Sequence, residues 1–176
     1  ERRWQAASTR ALADSRVLVV GTGAIGEAIR SRLAPFETEI TRVATTARDD
    51  EHGHIHGIDE LPELLPNTDI LVLIVPLTDS TRGLIGAKEL TLLPDGALVV
   101  NVARGPVVDT DAITAEVVAG RLRMASDVFD PEPFPDDHPL WQADGAFISP
   151  HIGGNTTAML PRIVALLADQ LPRLAD

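Results

Sequence analysis

Three apolar runs without polar alternation constrain this chain most: Val17-Leu-Val-Val20, Ile70-Leu-Val-Leu-Ile-Val75 and Ala97-Leu-Val-Val100. Alternation would mark a strand with one wet face. Its absence predicts strands buried on both faces, as in a parallel sheet covered by helices. Shorter strands are expected at Glu39 to Val43, Met124 to Val128 and Phe147-Ile148. Helical patterning falls between them, over Ala24 to Leu33, Asp59 to Leu65, Ala87 to Leu92, Asp109 to Ala119 and Thr156 to Leu171. In the last of these, Pro161 implies a kink or a late start. Strand and helix alternating through short links predict an α/β fold with a doubly wound parallel sheet, three layers thick.

Composition excludes several partners. A formal net charge of −11 gives no electrostatic footprint for nucleic acid or an anionic membrane. Local backbone amides can still hold the phosphates of an anionic cofactor. No apolar run approaches the roughly 20 residues that span a bilayer. The start, Glu1-Arg-Arg-Trp-Gln5, does not resemble a signal peptide, so a cytoplasmic protein is expected. Without cysteine, neither a disulfide framework nor a thiolate metal site can form. With 3% aromatic residues, the core must rest on Val, Ile, Leu and Ala.

The first apolar run feeds Gly21-Thr-Gly-Ala-Ile-Gly26, with a helix expected straight after. Glycines at this spacing suit a dinucleotide cradle. Gly21 permits the tight turn, Gly23 the approach of a pyrophosphate, and Gly26 close packing of helix on strand. Helix-start amides then face the phosphates. An NAD site of this type has an acid about 20 residues on, at the end of the second strand, for the ribose hydroxyls. Ala44 stands there instead, followed by Thr45, Thr46 and Arg48. Small hydroxyls and a cation suit a 2′-phosphate, which favours NADP over NAD.

Further along come Val75-Pro-Leu-Thr78, Asn101-Val-Ala-Arg-Gly105, Asp127-Val-Phe-Asp-Pro-Glu132, His138-Pro-Leu-Trp141 and Pro150-His-Ile-Gly-Gly154. Three of these segments each offer one polar side chain of a different kind, Arg104, Glu132 and His151. A cation to grip an oxyanion, an imidazole to move a proton and a carboxylate to hold it charged suffice for reversible reduction of a 2-oxo acid.

In this order and spacing, the motifs closely resemble the cofactor-binding Rossmann domain of the D-isomer-specific 2-hydroxyacid dehydrogenases, from about Asp14 to about Leu171. The resemblance implies that Arg104 binds the substrate carboxylate and carbonyl oxygen, His151 is the general acid in reduction, and Glu132 keeps His151 protonated. Beside the contacts already read at Gly21, Gly23, Gly26, Thr45 and Arg48, it implies cofactor contacts at Ala24, Ile25, Pro76, Thr81, Val102, Ala103, Asp127, Gly153 and Gly154. Asp127 would meet the nicotinamide carboxamide.

The resemblance also implies a small 2-oxo or 2-hydroxy acid as substrate, glyoxylate and hydroxypyruvate being the favoured type. A homodimer is implied as well, with Trp4 and a leading helix over 1–13 in contact. Sheet and site loops are expected over 14–154, and a truncated C-terminal helix over 155–176. The substrate domain, with a first segment on the order of 100 residues, would lie outside this chain, leaving it little turnover alone. Two relatives offer alternatives. Corepressor-like scaffolds share the fold and the Arg/Glu/His set. Formate dehydrogenases typically carry Gln where Glu132 stands.

His52, His54 and His56 fall at period two, on one face if extended. Three imidazoles suit Zn, Ni or Cu. No carboxylate stands at motif spacing, so no metal is expected. His138 and Trp141 read as structural, and the Pro-rich stretch Asp130 to Pro139 as an ordered excursion near the site.

Overall fold

The computed structural model describes residues 10–174. Eight strands form one sheet in the order β3-β4-β2-β1-β5-β6-β7-β8. They are β1 (Arg16–Val20), β2 (Glu39–Ala44), β3 (Arg48–Asp50), β4 (Gly53–Gly57), β5 (Ile70–Leu73), β6 (Leu98–Asn101), β7 (Arg123–Ser126) and β8 (Ala146–Ile148). Every pairing is parallel except the antiparallel β3–β4 edge. The helices are α1 (Ala24–Leu33), α2 (Leu61–Leu64), α3 (Ala87–Leu92), α4 (Thr110–Val118) and α5 (Met159–Gln170). The chain leaves β1 to build β2 on one side and later β5 on the other. That reversal opens a crevice beyond the strand ends, where ligands bind in open α/β sheets.

The apolar runs divide between two cores, as double burial requires. Leu18, Val20, Leu71 and Leu73 point to one face, where Leu61, Leu90, Ile113 and Val117 of α2, α3 and α4 cover them. Val17, Val19 and Val72 point to the other, against Ile29 and Leu33 of α1. The doubly wound expectation therefore holds. α5 starts at Met159 with Pro161 inside its first turn, the late start that proline predicted, and buries none of its residues.

Some boundaries differ from the sequence reading. β5 stops at Leu73, because Ile74, Val75 and Pro76 leave the sheet to line the crevice. Proline has no N–H for a ladder, which fits an exit at Pro76. β7 likewise ends at Ser126, before Asp127 and Val128. The β3–β4 hairpin had no counterpart among the expected strands: β3 is exposed throughout and β4 is rich in His and Gly, so neither carries an apolar run. Trp4 and most of the leading helix fall outside the described residues, while Arg10 to Asp14 are loop and turn rather than helix.

Candidate active site

The cradle is built as the glycine spacing predicts. Gly21 has φ +118, and a Cβ there would overlap the Ile74 carbonyl oxygen. A Cβ on Gly26 would overlap the Gly21 carbonyl, so this glycine lets α1 pack onto the turn. Gly23 differs: a Cβ there meets nothing within 4 Å, because the position faces open crevice. It is also the N-cap of α1, and no side chain caps the helix. The first amide to turn inward is Glu27 N, donating to Gly23 O at 2.9 Å. The amides of Ala24, Ile25 and Gly26 are thus available for phosphate oxygens.

Gly23 to Gly26, Ile74 to Leu77 and Val102 to Arg104 line one cleft of about 610 Å³. It gathers Gly23, Ala24, Ile25, Gly26, Pro76, Val102 and Ala103 of the expected cofactor contacts. β2 ends at Ala44, so no acid stands at its tip. Thr45 follows, exposed. Arg48, at the start of β3, reaches back to the cradle, its Nη2 donating to Thr22 Oγ1 at 2.8 Å. Thr81 is placed otherwise. Its hydroxyl is buried, donates to Pro76 O at 2.7 Å and accepts from Thr78 N at 2.8 Å, so it shapes the Pro76 turn and does not line the cleft.

Glu132 and His151 come together 19 residues apart, Oε2 to Nδ1, at 2.9 Å. The other Glu132 oxygen accepts from Phe129 N at 2.8 Å. The imidazole hydrogen bond holds the Glu132 carboxyl below its usual range, and the Phe129 amide and Arg104 charge add to this against opposition from burial. His151 adopts a left-handed backbone, φ +52. Such conformations are uncommon outside glycine and gather at functional sites. Asp127 Oδ2 accepts from Gly153 N at 3.3 Å, tying the loop of His151, Gly153 and Gly154 to the end of β7. Glu132 and His151 share a second hollow, of about 490 Å³, with Phe129, Phe134 and Trp141. Arg104 makes no hydrogen bond to either. Its Nη1 donates to Ala103 O at 2.6 Å, within its own loop.

Two residues to which the sequence assigned no role hold these loops. Asn101 is buried at the end of β6, where Oδ1 accepts from Ala103 N at 3.1 Å and Nδ2 donates to Arg104 O at 3.0 Å. Ser126 Oγ, also buried, lies 2.7 Å from Val128 O and 3.0 Å from Asn101 O. It links the loop that carries Arg104 to the loop that leads to Glu132. The available signal was position, a polar residue closing each of two neighbouring apolar strands.

The Pro-rich excursion is ordered around Phe134, whose ring stacks on Phe129 at 4.1 Å and tilts against His138 and Trp141. His138 caps a short 3-10 turn, as a structural histidine would. Trp141 is half-exposed and pins the excursion through Nε1, which donates to Pro135 O at 2.7 Å. The histidine run is divided. His52 approaches Glu27, whereas His54 and His56 meet the carboxylates of Asp49 and Glu60. Carboxylates are therefore present where motif spacing had shown none. Among the described residues no helix is long and apolar enough to cross a membrane.

Known proteins are similar to this chain in sequence and fold. The family model for the D-isomer specific 2-hydroxyacid dehydrogenase NAD binding domain matches residues 1–153. A glyoxylate reductase of Thermofilum pendens is 36% identical over 156 residues, 87% of this chain and 46% of the relative. A chloroplastic/mitochondrial formate dehydrogenase of Arabidopsis thaliana is 32% identical over 158 residues, 88% of this chain and 41% of the relative. The structure of a D-isomer specific 2-hydroxyacid dehydrogenase from Xanthobacter autotrophicus Py2, in complex with NADPH and MES, superposes with a TM-score of 0.78. It is 39% identical and covers 85% of this chain and 48% of that one. The chain spans about half the length of the curated relatives it matches. With cradle, motif order, fold and sequence in agreement, the chain belongs to the D-isomer specific 2-hydroxyacid dehydrogenase family, through its NAD-binding domain.

Proposed function

We propose that the protein is an NADP(H)-preferring dehydrogenase that interconverts a small 2-oxo acid, of the glyoxylate or hydroxypyruvate type, and its D-2-hydroxy acid. The observation that carries this reading is the His151–Glu132 hydrogen bond of 2.9 Å in a hollow walled by aromatic rings. The cradle fits a dinucleotide: Gly21 and Gly26 leave no room for a Cβ, Gly23 opens on the cleft, and helix-start amides are available. When bound, the nicotinamide supplies a hydride to the carbonyl carbon or takes it back.

The side chains do the remaining work. His151 gives a proton to the carbonyl oxygen in reduction and recovers it in oxidation. Glu132, kept ionised, takes the hydrogen bond of Nδ1 and so fixes which ring nitrogen is left for the substrate. Arg104 turns from its own loop to take the substrate carboxylate and stabilise charge on the carbonyl oxygen. Phe134 and Trp141 wall one side of the hollow that holds the Glu132–His151 pair. Ala44 at the tip of β2 and Arg48 over Thr22 support a 2′-phosphate in place of free ribose hydroxyls. The NADPH bound to the Xanthobacter relative is in keeping with this.

The test is oxidation of NADPH and NADH by the intact protein with glyoxylate and hydroxypyruvate, run beside formate oxidation with both oxidised cofactors. Oxo-acid reduction favouring NADPH is expected, with the preference falling about tenfold in Arg48→Ala, the scale of one lost charge-assisted contact. Formate turnover without oxo-acid reduction would overturn the substrate assignment. An NADH preference would overturn the phosphate site. Cofactor binding with no turnover of any acid would favour a cofactor-sensing scaffold.

A further inference from the structure

The β3–β4 hairpin, at the opposite end of the strand order from β7 and β8, carries a second cluster of titratable groups. Alternation along β4 puts His54 and His56 on one face, and their rings meet edge to face at 4.7 Å. Antiparallel β3 sets Asp49 directly across from His54, where Oδ1 lies 2.8 Å from Nδ1. The turn after β4 returns Glu60 to His56, with Oε2 2.8 Å from Nδ1. Glu60 is itself fixed by Gly57 N, which donates to Oε1 at 2.7 Å. One ligating atom each from His54, His56 and Glu60 lie within 4.8 Å of one another.

We propose that His54, His56 and Glu60 bind a zinc-class divalent ion, with Asp49 as the positioning residue for His54. Two imidazoles and a carboxylate suit Zn, Ni or Cu, whereas Mg and Ca require mostly oxygen ligands. Ligands around a four-coordinate zinc stand about 3.3 Å apart, so closure needs shifts on the order of 1 Å. These partly exposed side chains have room to make them. A metal-binding histidine usually donates its other ring N–H to a carboxylate, which sets the tautomer. Asp49 already does this for His54. His52 takes no part, since its Nε2 lies 3.4 Å from Glu27 on α1. The absence of a metal expected from sequence rested on the lack of a nearby carboxylate, and the fold supplies one in Glu60. Bound there, the ion clips β4 to the turn behind it. Because β4 pairs with Val43 and Ala44 of β2, the clip braces the hairpin that presents Arg48.

Titration of the metal-free intact protein with zinc chloride, followed by calorimetry, tests this. Cobalt(II) absorption provides a second readout of imidazole and carboxylate ligation. One ion per chain is expected at this site. His54→Ala and His56→Ala each weaken it at least tenfold, Asp49→Asn weakens it by a factor of ten to a hundred, and His52→Ala leaves it unchanged. Circular dichroism establishes that the variants fold, with His56→Gln in reserve should His56→Ala fail. Absence of a stoichiometric site in the unmutated protein, or affinity unchanged in both His54→Ala and His56→Ala, would overturn the proposal and leave ion pairs only.

Discussion

His151 Nδ1 and Glu132 Oε2 lie 2.9 Å apart, joining the loop after β8 to the loop after β7. The pair couples a proton carrier on a left-handed backbone to a carboxylate held ionised by its partner, by Phe129 N and by the charge of Arg104. Replacing the charge while keeping the shape isolates its contribution. Glu132→Gln should lower kcat/KM for oxo-acid reduction by about 10²-fold or more, the low end of general acid catalysis. Steady-state kinetics of the two proteins side by side, with circular dichroism to establish folding, would show this, and an unchanged kcat/KM would reduce Glu132 to a structural role.

Glycines of the cradle separate binding from stability. Gly23→Ala adds a methyl group where nothing lies within 4 Å, at an ordinary extended backbone. Its stability should change by less than about 0.5 kcal/mol, while NADPH affinity falls tenfold or more because the methyl occupies pyrophosphate space. Gly26→Ala drives a Cβ into the Gly21 carbonyl and should cost about 1–3 kcal/mol as an overpacking substitution. Urea melts beside NADPH fluorescence titrations would distinguish them. Equal loss of stability in both variants would mean that Gly23 serves only the turn.

Much of this was legible because parallel strands bury both faces, so Val17 to Val20 and Ile70 to Leu73 stand out as unbroken apolar runs. The cradle was legible for a related reason: the close approaches at Gly21 and Gly26 penalise any residue with a Cβ. The β3–β4 hairpin was not, because Arg48 to Asp50 are held at an edge by pairing with β4 rather than by burial. The partnership of Glu60 with His56 was also hidden, since it depends on how the chain turns after Gly57. Thr81 shows the converse. The family resemblance implies a cofactor contact at Thr81, and in the fold its hydroxyl holds Pro76.

Asn101 tests how far the Arg104 loop depends on a buried amide. Asn101→Ala strands Ala103 N in a buried setting and leaves Arg104 O with only its bond from Val107 N, at a cost of about 1–3 kcal/mol. Turnover should fall further than stability alone explains, because the Arg104 carbonyl loses one of the two hydrogen bonds that hold its loop. KM for the oxo acid should rise as kcat falls, with NADPH binding less affected. Thermal unfolding and substrate kinetics on one preparation decide it. A stability loss with kinetics intact would show that Arg104 positions itself.

Arg16 and Asp69 supply a stability contribution with a defined pH dependence. Asp69 Oδ2 accepts from both the Arg16 backbone N at 3.0 Å and Nε at 2.9 Å, and Oδ1 accepts from Nη2 at 3.1 Å. The pair ties the start of β1 to the entry of β5. The guanidinium hydrogen bonds, opposed by burial and helped by the backbone amide, lower the Asp69 carboxyl from 3.8 to about 2. Since the folded value lies below the unfolded one, the stabilisation is fully present above about pH 4 and is lost as pH falls through about 2. Arg16 is partly exposed, and solvent screening brings the effect at neutral pH down to about 1–2 kcal/mol. Asp69→Asn should therefore be less stable than the unmutated protein by that amount in urea at pH 7. The gap should narrow as the two are compared at pH 4 and then pH 3. A gap that stays constant to pH 3 would show that the carboxyl contributes through its hydrogen-bonding shape rather than its charge.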